Sequence, residues 1–220
     1  RAGDDGLDFE DNRGIIAGNI ALANAQDGID LDGTNQGIIR DNRANGNGID
    51  GFSIFRTGNN GRIIGNTANR NQFDGFFILG VNDGIVRQNS ASSNLEDGFD
   101  ILINTGTLSS NMANLNGFDG FFLGLNTGQI SNNVARRNIS GFNLDENQGA
   151  VTGNTASLNT FFGFGFAPPI AEILNFGTFD NNTSTNNGGA GFRVDNLGPG
   201  TSSGNVSSGN GAADVGDVPP

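Results

Sequence analysis

The chain has 220 residues, of which 23 are acidic and 11 are basic, so its net charge is −12 at neutral pH. This charge disfavours nucleic acid or an anionic membrane surface as a partner. The sequence contains no apolar run of 18 residues, so no transmembrane helix is predicted. His, Lys, Tyr and Cys are absent, which removes most of the side chains that act as general acids, bases or nucleophiles.

The predicted elements are coils of a repeat, and their order along the chain gives three segments. Residues 1–13 resemble the second half of a repeat, residues 14–210 form the repeat domain, and residues 211–220 are expected to be a flexible tail. The seventh coil carries an insertion from Phe166 to Leu174. Its Pro168-Pro169 pair cannot donate hydrogen bonds to a sheet, so the insertion is predicted to be a loop. After Val194 the apolar columns are lost.

The repeat begins with an asparagine, which is followed two places later by Ala or Ser and five places later by a second asparagine. The first asparagines are Asn19, Asn42, Asn66, Asn89, Asn111, Asn133, Asn154, Asn182 and Asn205. An Asp-Gly pair and two alternating apolar residues follow in most coils, as in Asp74-Gly75-Phe76 and Ile78. A period of this length marks a solenoid in which each repeat is one turn of chain.

The apolar columns indicate strands rather than helices. Residues such as Phe76 and Ile78 alternate with outward positions, which is the period of a strand with one buried face. A further apolar column lies three residues before each first asparagine, from Ile16 to Phe179. No stretch has helical periodicity, so the sequence predicts an all-β parallel β-helix of about nine coils.

The asparagines are expected to lie at the corners between strands. Asn tolerates the left-handed backbone conformation better than most residues. Stacked coils lie ~4.8 Å apart, so equivalent amides can hydrogen-bond up the stack. The sequence therefore predicts a buried amide ladder formed by Asn19, Asn42, Asn66, Asn89, Asn111, Asn133 and Asn154.

The pattern I-x-x-N-x-A-x-x-N-x-x-D-G-F-x-I, as in Ile63 to Ile78, resembles the repeats of the pectate-lyase-like superfamily. The resemblance covers roughly Asp5 to Asn210 and implies a right-handed single-stranded β-helix with three sheets. Members of that superfamily include polysaccharide lyases and hydrolases, epimerases, phage tailspikes and surface adhesins. The shared motifs are structural columns, so they indicate the architecture and leave the activity open.

Carboxylates are candidates both for metal ligands and for an acid–base pair. Asp27, Asp30 and Asp32 could supply the several oxygens that Ca²⁺ prefers, but Asp27 also belongs to the recurring Asp-Gly corner. Asp8 and Asp30 are one coil apart and are the best candidate pair for hydrolysis. Asp30 and Asp100 share the same outward column but are separated by three coils, roughly 14 Å. No catalytic residue and no required cofactor is predicted.

Two aromatic columns predict a surface that binds a ligand or packs against another chain. Phe73, Phe118 and Phe161 recur seven residues after the first asparagine, with Glu96 and Ser140 at the intervening positions. Phe77 and Phe122 lie just after the inward Phe and should point outward, ~9.6 Å apart. Such rings could stack on sugars or on a neighbouring chain. The alternative is that the insertion folds over them.

The sequence thus favours a non-catalytic structural or adhesive protein in the extracellular space or at the cell surface. Self-association is expected either through the aromatic columns or end to end, where a C-terminal asparagine half coil could complete the N-terminal half coil of another copy. The alternative is a protein that binds or modifies polysaccharides.

Overall fold

The computed structural model describes residues 4–165, 173–196 and 199–216, and in them the regular elements are short β-strands. Sheet 1 consists of Leu7–Phe9, Ile29–Leu31, Thr34–Asn35, Phe52–Ile54, Gly58–Asn59, Phe76–Asn82, Phe99–Asn104, Phe121–Asn126, Phe142–Asn147, Ile173–Asn175, Arg193–Asn196 and Val215–Gly216. Sheet 2 consists of Ile15–Ala17, Ile38–Arg40, Arg62–Ile64, Ile85–Arg87, Thr107–Ser109, Gln129–Ser131, Ala150–Thr152, Thr178–Asp180 and Thr201–Ser203. Sheet 3 consists of Ile20–Leu22, Arg43–Asn45, Thr67–Asn69, Ser90–Ser92, Met112–Asn114, Val134–Arg136, Thr155–Ser157, Thr183–Thr185 and Val206–Ser208.

These sheets form an all-β solenoid of about eight turns, consistent with a right-handed parallel β-helix. Each strand pairs in parallel with the equivalent strand of the next coil, and equivalent residues are direct partners, as in Phe76↔Phe99 and Ala68↔Ala91. Leu7–Phe9 pairs with Ile29–Leu31, so the N-terminal half coil is continuous with the solenoid. The predicted fold class is confirmed. No helix in the described ranges is long and apolar enough to cross a membrane.

The core is built from the apolar columns that the sequence predicts. Its centre is a file of phenylalanines, in which Phe76, Phe99 and Phe121 have centroids 4.8 Å apart and interplanar angles of 4° to 6°. The file continues through Phe142 and Phe164, with similar spacings. The spacing between rings equals the separation of adjacent strands, because each ring is contributed by one coil. Small residues such as Ala91, which is fully buried, line the part of the core under sheet 3.

The predicted asparagine ladder is present at the corner between sheets 2 and 3. The amide of Asn66 donates to Asn89 Oδ1 at 3.0 Å, and Asn89 donates to Asn111 Oδ1 at 3.1 Å. The same oxygens also accept a backbone N–H from the preceding coil. The second asparagines form an equivalent ladder after sheet 3, for example from Asn71 to Asn94 at 3.0 Å.

The reason proposed for these asparagines is wrong in one respect. The ladder residues do not have a positive φ; the residue before each of them does, as with Gln88 (φ 57°) before Asn89 and Ser93 (φ 60°) before Asn94. Asparagine is therefore selected at the ladder positions for its amide, which has both a donor and an acceptor.

The Asp-Gly pairs likewise differ from simple turns. Gly51 does not have a positive φ, but a Cβ there would lie 2.6 Å from Ala68 Cβ and 2.7 Å from the carbonyl oxygen of Gly75. Glycine is required because the chain passes the next coil at close range. The aspartate before it has a different role, which is described below.

A third asparagine ladder, which was not predicted, follows sheet 1. Asn82 donates to Asn104 Oδ1 and Asn104 donates to Asn126 Oδ1, both at 2.7 Å, and all three residues are fully buried. The ladder comprises Asn12, Asn35, Asn59, Asn82, Asn104, Asn126, Asn147 and Asn175. Each of the three turns between sheets therefore contains a buried amide ladder.

Two predicted segments have a mixed outcome. Residues 166–172 of the predicted loop, including Pro168-Pro169, lie outside the described residues. Ile173, which was expected to lie in the loop, is buried and pairs with Val194, so it occupies the inward position in this coil. Val215–Gly216, which was expected to belong to a flexible tail, forms a strand beside Arg193–Asn196.

Candidate functional surface

Aspartates form a column between the second asparagine ladder and sheet 1. Asp50 Oδ1 accepts the backbone N–H of Asp74 at 2.7 Å, and Asp74 Oδ1 accepts that of Asp97 at 2.7 Å. The Asp column comprises Asp5, Asp27, Asp50, Asp74, Asp97 and Asp119. These carboxyl groups therefore form a second polar column in this turn beside the amide ladder, with one carboxyl per coil.

Burial changes the protonation of the Asp column. Loss of hydration is the largest cause, and it raises the pKa of Asp27 to about 6, of Asp74 to about 7, of Asp50 to about 8 and of Asp97 to about 9. Neighbouring carboxylates raise these pKa values further, and hydrogen bonds from the backbone oppose the change. Within the described ranges no arginine is within ion-pairing distance of the column. The carboxyls are thus expected to be partly protonated near neutral pH.

The C-terminal end of the Asp column is closed by polar side chains. Asn143 donates from Nδ2 to Asp119 Oδ2 at 2.7 Å. Burial raises the pKa of Asp119, and the hydrogen bond from Asn143 opposes that change. The next coil has Ser140 in place of an aspartate, and it is fully buried.

The outer face of sheet 1 lies beside the Asp column. Asp8 pairs with Asp30, Asp30 with Ser53, Phe77 with Asp100, and Asp100 with Phe122. This register places Asp8 next to Asp30 and separates Asp30 from Asp100 by three coils, as predicted. Burial raises the pKa of Asp100 to about 6, and Glu96 raises it further.

An apolar area occupies the middle of this face. Phe55 and Leu102 are 46% and 43% exposed, and the ring of Phe55 lies 6.3 Å from that of the half-buried Phe77. We call this area the face patch; it consists of Phe55, Phe77, Leu79, Leu102, Phe122 and Leu125. Asp100 lies within it, and Asp145 and Glu146 border it in the next coil. Both outward rings of the prediction, Phe77 and Phe122, belong to this patch.

The second aromatic column lies on the corner that precedes the Asp column. Phe73, Phe118 and Phe161 are all exposed there, and Phe118 is 54% exposed. One detail of the prediction is wrong, because Ile139 rather than Ser140 occupies the column in the sixth coil. Ile139 donates its N–H to Phe118 O and accepts that of Phe161. The sixth coil is one residue shorter at this corner, which moves Ser140 into the Asp column.

The candidate calcium ligands are not brought together. Asp27 belongs to the Asp column and accepts the N–H of Asp50, Asp30 lies on the outer face of sheet 1, and Asp32 lies 3.9 Å from Arg56. In the described part of the chain no group of three acidic side chains could hold a metal ion. The three carboxylates therefore do not form one group here, and calcium binding by Asp27, Asp30 and Asp32 stays a prediction.

A surface on the far side of the solenoid is not apparent from the sequence. Seven arginines lie on sheets 2 and 3 or directly after a strand of sheet 3: Arg40, Arg43, Arg62, Arg70, Arg87, Arg136 and Arg137. Most of the acidic residues instead lie on sheet 1 or the corners beside it. The two sides of the molecule therefore carry opposite charge.

Comparison with protein families adds one match. Residues 4–91 match the family described as "Right handed beta helix region". The chain is a parallel β-helix repeat protein. No curated protein and no solved structure gives a significant match to this β-helix.

The geometry of the β-helix determines what this surface can do chemically. The column carboxyls Asp27, Asp50, Asp74 and Asp97 each use one oxygen to hold a backbone N–H, which ties them to the fold. The face patch offers rings and aliphatic side chains on a rigid sheet. It therefore presents apolar groups with carboxylates at their border.

Proposed function

We propose that this β-helix is a non-catalytic structural or adhesive module of the extracellular space or cell surface, and that it acts through the outer face of sheet 1. The observation that carries the proposal is the face patch. Large apolar areas exposed on a soluble surface mark sites of interaction. Here Phe55, Leu79 and Leu102 are all exposed on the same face.

The interior supports a mechanical role. The phenylalanine file and three amide ladders continue from coil to coil, so the outer faces repeat with a fixed spacing of ~4.8 Å. A surface on such a scaffold loses little conformational freedom when it binds, which favours affinity. The column carboxyls are engaged with the backbone, which favours a structural role for them over acid–base catalysis.

Binding of a polysaccharide is the second candidate function. It is favoured by Phe77 and Phe122, which lie in one outward column with Asp100 between them. A linear polymer along the solenoid axis would meet these rings ~9.6 Å apart. Rings can pack on the apolar faces of sugars, and Asp100 can accept hydrogen bonds from hydroxyls.

The test compares a variant of the face patch with a matched control. Phe77→Ser together with Phe122→Ser should abolish self-association or attachment to a surface, while thermal unfolding still gives a cooperative transition. Ile15→Ser together with Ile20→Ser removes exposed apolar groups of sheets 2 and 3 and should have no effect. Association and attachment are measured by sedimentation, electron microscopy and a glycan array.

The outcomes separate the two candidates. Polymers or surface attachment without glycan binding support the structural role. Glycan binding by the wild-type protein that is lost in the Phe77→Ser, Phe122→Ser variant supports the polysaccharide-binding role. A non-catalytic role would be contradicted if the wild-type protein released reducing ends or unsaturated uronates from polysaccharides and if Asp8→Asn or Asp30→Asn abolished this activity. End-to-end polymerisation stays a prediction, which microscopy of the wild-type protein addresses.

A further inference from the structure

Two leucines occupy an unfavourable backbone position on the surface. Leu115 and Leu158 follow strands of sheet 3, have φ values of 58° and 57°, and are 54% and 39% exposed. The left-handed region is disfavoured for any residue with a Cβ, and more so for leucine than for asparagine. Other coils have Gly46, Ser93 and Asn186 at this position. Ala23, Arg70 and Arg137 occupy it in further coils, so the fold itself does not select leucine there.

The two leucines belong to a larger area. Met112 and Val134 pair on the outer face of sheet 3 and are both exposed. Arg136 and Arg137, also exposed, lie in the coil between the leucines. We call this area the Leu/Arg corner; it consists of Met112, Leu115, Val134, Arg136, Arg137 and Leu158.

The Leu/Arg corner, at the end of sheet 3, complements the face patch on sheet 1. The Leu/Arg corner combines apolar side chains with two arginines, and the face patch combines apolar side chains with Asp100, Asp145 and Glu146. The face patch spans four coils and the corner three, which corresponds to lengths of ~14 Å and ~10 Å. Both have the same spacing per coil, so two parallel solenoids could align rows of one area with rows of the other.

We propose that the Leu/Arg corner of one molecule docks on the face patch of a second copy. This proposal rests on the proposed role of the outer face of sheet 1 and names its partner. Two different surfaces meet, so the contact is heterologous and leaves one unused area on each end molecule. Repetition then builds a lateral array of solenoids.

Charge supports a second copy as the occupant. The net charge of −12 opposes close approach of two molecules, but at 0.15 M ionic strength this repulsion decays over ~8 Å. The groups in contact then decide the outcome, and Arg136 and Arg137 would face Asp100, Asp145 and Glu146. Such pairs fix the orientation of a contact more than they strengthen it, and the apolar side chains supply the affinity.

The first test separates association from folding. Leu115→Asn together with Leu158→Asn should weaken self-association about tenfold or more in sedimentation experiments. The same change should leave the melting temperature equal or higher, because asparagine accepts the left-handed conformation. Loss of association together with a lower melting temperature would indicate damage to the fold and would overturn the assignment of these leucines to a contact.

A charge variant provides an independent test with a control. Arg136→Ser with Arg137→Ser should weaken association, whereas Arg62→Ser with Arg87→Ser, which removes the same charge from sheet 2, should not. Equal effects of the two pairs would mean that only net charge matters, and would overturn the proposal.

Mixing experiments test whether the contact is heterologous. A variant defective in the corner (Leu115→Asn, Leu158→Asn) and one defective in the face patch (Leu79→Ser, Leu102→Ser) each retain one intact area. Together they should form dimers and no larger species. A wild-type protein that stays monomeric at all concentrations overturns the docking. If only the face-patch variant loses association, the Leu/Arg corner is not the partner of the face patch, but the proposed function stands. If neither variant loses association, the proposed role of the face patch is wrong as well.

Discussion

The Asp column predicts that the folded state loses stability as the pH rises. Among the described residues, the carboxyl groups whose pKa is displaced, from Asp27 to Asp145, all have a raised pKa. A folded-state pKa above the unfolded value means that the folded protein binds the proton more tightly. The resulting stabilisation is complete below about pH 4 and is lost as the pH rises through the raised pKa values, between about 6 and about 9.

The magnitude can be worked for Asp74, which is only 6% exposed. Its pKa rises from 3.8 to about 7, because burial removes water from the carboxyl group and the charges of Asp100 and Glu96 oppose its ionisation. A tenfold change in proton affinity corresponds to about 1.4 kcal/mol, so ionising Asp74 costs on the order of 4 kcal/mol between pH 4 and pH 8. This is a large part of the stability of a typical domain, about 5–15 kcal/mol.

Asp74→Asn isolates this effect. Asparagine keeps the oxygen that accepts the N–H of Asp97 but cannot ionise. We expect the variant to gain about 4 kcal/mol in the free energy of unfolding at pH 8 and only about 1.6 kcal/mol at pH 5, because pH 5 lies closer to the ordinary pKa of 3.8. Urea unfolding followed by far-UV circular dichroism at both pH values measures this difference.

A matched control is Asp83→Asn, which makes the same change at an exposed residue outside the Asp column. It should not alter the pH dependence. The reasoning is refuted if the wild-type protein is as stable at pH 8 as at pH 5, or if the two variants change its stability equally at both pH values.

Three further predictions concern the interior and are read from urea unfolding. Asn104→Ala leaves the amide of Asn82 without its acceptor and should lower the free energy of unfolding by about 1–3 kcal/mol. The control Asn114→Ala removes a buried oxygen that has no partner and should leave this free energy unchanged; equal losses in the two variants would contradict a role for the third ladder. Phe121→Ala opens a cavity in the phenylalanine file and should cost about 3–5 kcal/mol; a loss below about 1 kcal/mol would show that the file can be repacked. Gly106→Ala places a Cβ 2.2 Å from the carbonyl oxygen of Gly84 and should prevent folding, while Gly46→Asn, with φ 65° and nothing within 4 Å of its Cβ, should be tolerated; a folded Gly106→Ala protein would contradict the close approach of these coils.

The sequence predicts the columns that keep a constant distance from the first asparagine. Asn66, Ala68 and Asn71 are held within five residues by a sheet 3 strand and its two corners, so every coil repeats them in the same frame. The inward Phe and Ile columns follow at nearly constant distance. Fold class, two of the ladders and most of the core could therefore be predicted from spacing alone.

The third ladder is missed when columns are counted forward from the first asparagine, because the chain length between the two varies. Asn59 lies 17 residues after Asn42, whereas Asn147 lies 14 residues after Asn133. The extra residues are absorbed in sheet 1, where the register shifts between Ile78 and Val81. Side-chain hydrogen bonds of 2.7 Å hold the asparagines in line across these irregular strands. The column is constant only when it is counted backward, since each of its members lies seven residues before the next first asparagine, as Asn82 does before Asn89.

The candidate surfaces were harder to predict for a related reason. Asp-Gly pairs look like turns in the sequence, and only the stacking of Asp50, Asp74 and Asp97 shows that their carboxyls are buried together. The residue before each asparagine of the second ladder is the contrasting case. Its backbone conformation is fixed, but its side chain points away from the core. Gly46, Ser93 and Leu115 all satisfy the fold at this position. Because neither the core nor the ladders select leucine there, Leu115 and Leu158 are accounted for by the proposed docking and not by the fold.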